Sequence, residues 1–151
     1  MKTALLHEYA GQRTFAIVLG DGDEAMNCLQ TFAAANHVGA AQFTAIGAFA
    51  SAIVAFFDRE TKHYQHIVID EQIEVLSLVG DVSLDGNAPR IHAHVVLGKR
   101  DATAHGGHLI RGHVWPTLEI VLTEAPRHLH RRFDPDVGLA LIEPRERPEV
   151  G

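Results

Sequence analysis

Three histidines have a spacing that could bind a metal ion. His92 and His94 are separated by one residue within an apolar stretch, and His108 follows a Gly-Gly pair farther along the chain. Side chains of a β-strand alternate between its two faces, so His92 and His94 would share one face. Neutral imidazole is a common ligand of Zn²⁺, and three histidines leave one coordination position open. This pattern predicts an open metal site.

A hairpin would bring the third histidine beside the other two. If the connecting loop is centred on Asp101, His94 lies opposite His108 and His92 lies opposite Ile110 in an antiparallel pair. Opposed residues have Cβ atoms about 4.5–5.5 Å apart, so three imidazoles could converge on one ion. A loop centred half a residue away would break this pairing. The three residues would then be ordinary surface or core histidines.

Other residues that could do chemistry are less clearly placed. His105 and His113 have the opposite parity to His108, so on a continuous strand they are expected to face away from it. Glu74 interrupts an apolar run; its carboxylate either points into solvent or acts as an acid/base group or a support of the metal site. The catalytic residue is otherwise unknown, because no nucleophile elbow, P-loop or dinucleotide-binding glycine motif is present in the sequence.

The elements that must position these residues are mostly strands. Runs of β-branched and aromatic residues predict a strand over 14–19 and two buried strands, broken near Gly47, within 38–57. Further strands are predicted over 64–69, 73–82, 90–97, 108–115 and 118–123. The last two are separated by the Trp115-Pro116 pair.

One segment has the periodicity of a helix. Met26, Leu29 and Phe32 fall at helical spacing and predict one amphipathic helix of about 14 residues, for which Gly39 provides a C-terminal stop. One helix among many strands, without a regular βαβ alternation, predicts an α+β fold with a mostly antiparallel sheet.

Composition indicates one soluble domain. The 151 residues are 46% hydrophobic and 21% charged, which is enough for a core without disulfide support. The uncharged stretch 38–57 is as long as a membrane helix, but its polar residues and two glycines favour buried strands. Cys28 is the only cysteine, and with no secretory leader the chain is expected to be cytoplasmic. We expect a single domain over 1–151, with a polar, peripheral segment from about residue 127 that ends in a frayed terminus at 144–148.

The net charge of −6 limits nucleic-acid binding. An acidic field repels phosphate, so a local basic patch would have to provide the contacts. The available basic residues are Lys99, Arg100 and the cluster over 127–132. Any DNA binding by this chain is therefore expected to be weak, insensitive to sequence and abolished by moderate salt.

Several segments together resemble the plants-and-prokaryotes conserved (PPC) domain family, in its prokaryotic single-domain branch. They occur in the family's order and are 45–48, 57–64, 73–80, His92-Ala93-His94 with Gly98, and Gly106-Gly107-His108-Leu109. The resemblance implies an antiparallel sheet of about seven strands with one main helix, assembled as a homotrimer. It also implies that His92, His94 and His108 form the metal site of the prokaryotic branch. Because neutral imidazole is a borderline ligand, we expect a divalent transition ion there, Zn²⁺ by preference.

The function that the resemblance implies is a DNA-binding or regulatory one. The plant members carry AT-hook motifs, however, and no Arg-Gly-Arg core of that type occurs in this chain. Glu71 and Gln72 also replace the glycine and arginine of the plant members' partner-binding hexapeptide. The alternatives are a metal-dependent enzyme or small-molecule-binding protein of unknown substrate, and a plain trimeric scaffold.

Overall fold

Nine β-strands and one α-helix make up residues 1–144, the part of the chain that the computed structural model describes. The elements are β1 (Lys2–Tyr9), β2 (Gln12–Gly20), α1 (Ala25–Ala35), β3 (Ala40–Asp58), β4 (His63–Ile69), β5 (Ile73–Asp85), β6 (Ala88–Gly98), β7 (Ala104–Glu124), β8 (His130–Asp134) and β9 (Leu139–Glu143). A sheet-rich fold with one helix agrees with the predicted α+β class. The strand number differs from the expected seven, chiefly because β1, β8 and β9 had not been predicted.

The strands form one mixed sheet. Its order is β1-β2-β7-β3-β5-β8-β9, with β4 beside β3, and β6 pairs with both β5 and β7. These pairings close β3, β5, β6 and β7 into a ring. All strand pairs are antiparallel except β5 with β8. The sheet is therefore mostly, but not wholly, antiparallel, as the sequence predicted.

The stretch 38–57 contains one long strand where two were predicted. β3 continues through Gly47, and its register shifts there against both β5 and β7. Gly47 has a φ of +150°, and a Cβ on it would lie 2.2 Å from the carbonyl oxygen of Thr117. The predicted break is wrong because bulges absorb the glycine without ending the hydrogen-bonded ladder. β7 likewise runs on through the Trp115-Pro116 pair, which is a cis peptide.

The helix is 11 residues long and ends before Gly39. Glu24 caps its start, since its carboxylate accepts hydrogen bonds from the amides of Met26 and Asn27 at 3.1 and 2.9 Å. At the other end His37 takes the left-handed conformation with φ +54°, and the amide of Val38 donates to the carbonyl of Ala33. This is a Schellman ending, so the predicted stop at Gly39 comes too late.

The core lies between α1 and the inner face of the ring. The largest fully buried side chains are Phe43, Phe49, Ile17, Leu19, Leu29, Ile73, Leu78, Leu97, Leu109, Leu118, Ile120 and Leu122. They come from five strands and the helix, so one core holds the ring together. Within residues 1–144 no helix is long and apolar enough to cross a membrane.

The segment from residue 127 is not merely peripheral. β8 and β9 form an antiparallel hairpin, and β8 pairs in parallel with the end of β5 through Leu84 with His130 and Asp85 with Arg131. The prediction missed the hairpin because both strands are only five residues long and β8 is mostly polar. The predicted frayed terminus falls, apart from Pro144, outside the described residues.

Candidate metal centre

The three predicted histidines lie together on the outer face of the sheet. His94 pairs with His108, so the predicted register around Asp101 is confirmed for this pair. The ring centroids of His92, His94 and His108 are 5.1 to 5.3 Å apart. One nitrogen of each ring lies within 4.8 Å of the others. Zn–N bonds of about 2.0–2.1 Å need these nitrogens closer together, and the χ2 torsions of histidine are broad enough to let the rings turn.

The predicted pairing of His92 with Ile110 is wrong. The ladder between β6 and β7 ends at His94 and His108, just before β7 shifts its register against β3 at Ile110. His92 still reaches the cluster, since it shares its strand face with His94. The three rings therefore converge at the last pair of the β6–β7 ladder, and His92 joins them without a paired residue on β7.

Local sequence explains why these side chains point outward. Ile91, Ala93 and Val95 alternate with the histidines on β6 and are buried in the core, so His92 and His94 must face the other way. On β7, a Cβ on Gly106 would lie 2.8 Å from the carbonyl oxygen of Val95, and one on Gly107 would lie equally close to that of Ala55. The Gly-Gly pair thus allows β7 to fit between β6 and β3, which brings His108 to His94.

His108 is the most enclosed of the three. Tyr64 stacks on its ring with the centroids 4.8 Å apart and the planes at 26°. Its Nδ1 is buried and has no hydrogen-bond partner among the described residues. A buried polar nitrogen without a partner is costly unless an ion or a water satisfies it. The donor set therefore fits a metal ion.

The electrostatics of the cluster favour neutral imidazoles. Burial, followed by the proximity of His92 and His94, lowers the pKa of His108 to about 4. Burial and the neighbouring His92 also lower the pKa of His94. Metal ions bind the unprotonated ring, so these two side chains are ready to act as ligands at neutral pH.

The lowered pKa of His108 predicts a pH dependence of stability in the metal-free protein. The unfolded chain takes up this proton near pH 6.5 and the folded chain only near pH 4, so the unfolded state binds more protons between these values. Stability is therefore expected to fall as the pH drops from about 6.5 to about 4. Urea unfolding across this range would measure the slope, which should be shallower in His108→Leu and unchanged in His105→Ala. Equal slopes in wild type and His108→Leu would contradict the assignment.

A carboxylate that the sequence reasoning missed lies beside the cluster. Oδ2 of Asp81 is 3.3 Å from Nδ1 of His92, and Oδ1 accepts a hydrogen bond from Arg131 at 2.8 Å. Burial opposes ionisation, but the bonds from His92 and Arg131 lower the pKa of Asp81 overall. A signal was present: a two-residue turn at Gly86-Asn87 pairs Asp85 with Ala88 and places Asp81 opposite His92, as observed.

The other candidate residues lie apart from the cluster. Glu74 pairs with Gly98 and Ala48, and it is exposed five positions before the partner of His94 on β5, roughly 16 Å along the strand. His105 is exposed and pairs with Leu97, and His113 is exposed and pairs with Ser51. The structure thus brings Asp81 to the histidines and leaves Glu74 at a distance.

The fold and the histidine cluster together define the class of protein domain. A mixed sheet with one short helix and three histidines converging on its outer face is the architecture of a candidate metal-binding α+β domain. Residues 6–126 match the Plants and Prokaryotes Conserved (PCC, or PPC) domain. The chain therefore belongs to this family, and the resemblance seen in the sequence is confirmed.

Solved structures support the same fold. A metal-containing protein from Archaeoglobus fulgidus has 34% sequence identity and a TM-score of 0.79, covering 87% of this chain and 93% of its own. A PPC protein from Pyrococcus horikoshii has 29% identity and a TM-score of 0.82, with 96% of each chain covered. A "Putative DNA-binding protein" from Ralstonia eutropha has 26% identity and a TM-score of 0.81, covering 87% of this chain and 91% of its own. No curated protein matches the chain.

Proposed function

We propose that this chain is a metal-binding PPC-domain protein in which His92, His94 and His108 bind one divalent transition ion. The main observation in support is that one nitrogen of each ring lies within 4.8 Å of the others. The description of the Archaeoglobus relative as metal-containing supports it. Zn²⁺ is the preferred ion because imidazole is a borderline ligand that zinc binds well.

An open coordination position suggests what the site could do. Three protein ligands leave room for a water or a ligand molecule, and a metal held in this way supplies a Lewis acid. A metal-dependent enzyme or a small-molecule-binding protein is therefore the alternative within this proposal. Tyr64, which stacks on His108, would form one wall beside such a ligand.

Elemental analysis of protein purified without a His-tag or chelator tests the proposal directly. We expect about one equivalent of a divalent ion per chain, or its uptake when Zn²⁺ is added to the metal-free protein. Protein that carries no metal and takes up none would show that the histidines are structural.

We also propose that the chain assembles as a homotrimer through the outer face of its sheet. Exposed apolar side chains of this face are Val18, Ile46, Leu76, Val79, Val96 and Val121. Several of them line a shallow groove of about 490 Å³ across β2, β7, β3 and β5. Contiguous exposed apolar patches mark interaction surfaces in soluble proteins. His94 lies at the edge of this face beside Val79 and Val96, so assembly would place the metal centre next to a subunit boundary.

Light scattering is expected to give three times the chain mass at micromolar concentration. A charged residue at the centre of the face, as in Val121→Glu, should shift the protein toward the monomer, because burying an unpaired charge is costly. Lys2→Glu, on the edge strand β1, serves as a control and should leave the mass unchanged. A wild-type protein that is monomeric under these conditions would contradict the trimer.

DNA association is the second function that we propose for this chain. The Ralstonia relative's description favours it. Three of the basic side chains that could contact phosphate are already in ion pairs: Lys99 with Glu71 at 2.7 Å, Arg131 with Asp81, and Arg132 with Glu143. Together with the charge of −6, this pairing favours a role centred on the metal site over one in DNA binding.

Mobility-shift titrations of the metal-free and metal-loaded protein are expected to show only weak binding. The dissociation constant should be about 10⁻⁶ M or weaker at physiological salt and should not depend on sequence, because the remaining contacts can reach only phosphates. Tight, salt-resistant or sequence-selective binding would overturn this expectation and favour a DNA-reading role.

A further inference from the structure

We propose that the β8–β9 hairpin holds His92 in the tautomer and orientation that leave its Nε2 for a metal, acting through Arg131 and Asp81. This inference rests on the proposed metal site. The hairpin lies after residue 126, where the match to the family domain ends, so it adds a supporting element from outside that domain. Arg131 and Asp81 are positioning residues in this arrangement.

Arg131 is fixed by three different partners. Its Nη2 donates to Oδ1 of Asp81 at 2.8 Å, its Nε donates to Oγ of Ser83 at 2.6 Å, and its Nη1 donates to the carbonyl of Ala140 at 3.0 Å. The side chain is only 8% exposed. A buried guanidinium with its donors committed on three sides has one geometry available.

Asp81 transmits that geometry to His92. Arg131 and the hydroxyl of Ser83 both approach Oδ1, the second at 3.2 Å. The other oxygen, Oδ2, is thereby directed at Nδ1 of His92. A carboxylate that accepts the Nδ1 hydrogen keeps the lone pair on Nε2, and such partners fix both the tautomer and the ring orientation of metal-binding histidines.

The hairpin delivers Arg131 from a distant part of the chain. β8 is attached to β5 by two paired positions, and the amide of Leu84 donates to the carbonyl of Leu129 at 2.7 Å. Asp81 and Ser83 lie on the same strand β5, just before these contacts. The docking of the hairpin on β5 and the orientation of His92 therefore share one set of hydrogen bonds.

A purely structural role of Arg131 predicts different results from a role in positioning His92. If Arg131 only fastened the hairpin, its loss would lower stability and leave His92 unchanged. If it positions His92, its loss should also alter the tautomer of His92 in the metal-free protein and weaken metal binding. These two readouts separate the roles.

The test compares Arg131→Gln with Arg132→Gln, its neighbour on β8, which is 77% exposed and pairs with Glu143. Nitrogen-15 NMR of the metal-free proteins at pH 8 reports the tautomer of His92. Co²⁺ titration followed by visible absorption, with Zn²⁺ in competition, reports affinity. We expect His92 of the wild type to carry its hydrogen on Nδ1, and Arg131→Gln to give a mixture of tautomers with an affinity about 3- to 10-fold weaker. Asp81→Asn should weaken binding about 10- to 100-fold, while Arg132→Gln should match the wild type.

Ser83→Ala provides a second variant if Arg131→Gln does not fold, because it leaves the charge of Arg131 in place and removes one anchor of Arg131 together with the hydrogen bond from Ser83 to Asp81. It should change the His92 tautomer in the same direction by a smaller amount. A folded Arg131→Gln with an unchanged tautomer and unchanged affinity would overturn the inference, and so would equal effects of Arg132→Gln. If the wild type binds neither metal, the proposed function fails, and the tautomer measurement still decides whether the hairpin orients His92.

Discussion

Replacing His108 with alanine is expected to weaken Zn²⁺ binding more than about 100-fold. Loss of a partner that merely supports a ligand costs 10- to 100-fold in affinity, and His108 is itself one of the three rings that converge in the structure. His92→Ala and His94→Ala should have effects of similar size. Isothermal titration with Zn²⁺, or metal content after dialysis, would measure the loss.

Two variants make this prediction specific. His105→Ala removes a histidine from the same strand that is exposed and lies outside the cluster. Glu74→Gln removes a carboxylate at the far end of β5. Both proteins should retain wild-type metal content. If His105→Ala were as damaging as His108→Ala, the site would not be the one that the register describes.

Replacing Gly47 with alanine is expected to destabilise the fold by about 3 kcal/mol or more. The residue has a φ of +150°, where a side chain is strained, and a Cβ would lie 2.2 Å from the carbonyl oxygen of Thr117 and 2.8 Å from Cα of Leu118. Relief would require β3 and β7 to separate, and both strain and overpacking cost about 1–3 kcal/mol each. Chemical denaturation of the purified variant measures the effect.

Gly20→Ala is the matched control for this change. Gly20 also lies at a strand position, but a Cβ on it meets nothing within 4 Å and its φ is not in the left-handed region. Its stability should stay within about 0.5 kcal/mol of the wild type. A Gly47→Ala protein as stable as Gly20→Ala would mean that the two strands can move apart cheaply at this bulge.

Short-range regularities allowed much of the site to be predicted. The pairing of His94 with His108 follows from strand alternation and from the mirror register that a hairpin loop imposes on its two strands. The helical spacing of Met26, Leu29 and Phe32 predicted α1, although not its early end at Ala35. Absence of a βαβ alternation was enough for the α+β class. Each of these features depends on residues that are close in sequence, where the geometry of the chain is strongly constrained.

Features that depend on distant pairings were decided only by the tertiary structure. A strand pattern does not show whether a glycine ends the strand or bulges, and at Gly47 the close approach of Thr117, seventy residues away, determines the answer. Glu74 interrupts an apolar run, which suggested a role at the metal site, but the register of β5 with β6 places it far from His94.

The two contacts that hold His92 in place show most clearly which features the sequence predicts and which it does not. The contact of His92 with Asp81 crosses a hairpin, so a two-residue turn at Gly86-Asn87 was sufficient in principle to predict it. The contact of Asp81 with Arg131 instead crosses a parallel pairing of β5 with β8. No short turn sets the register of a parallel pair, so the sequence by itself determines which histidines face one another, and only the folded chain determines which arginine holds their carboxylate.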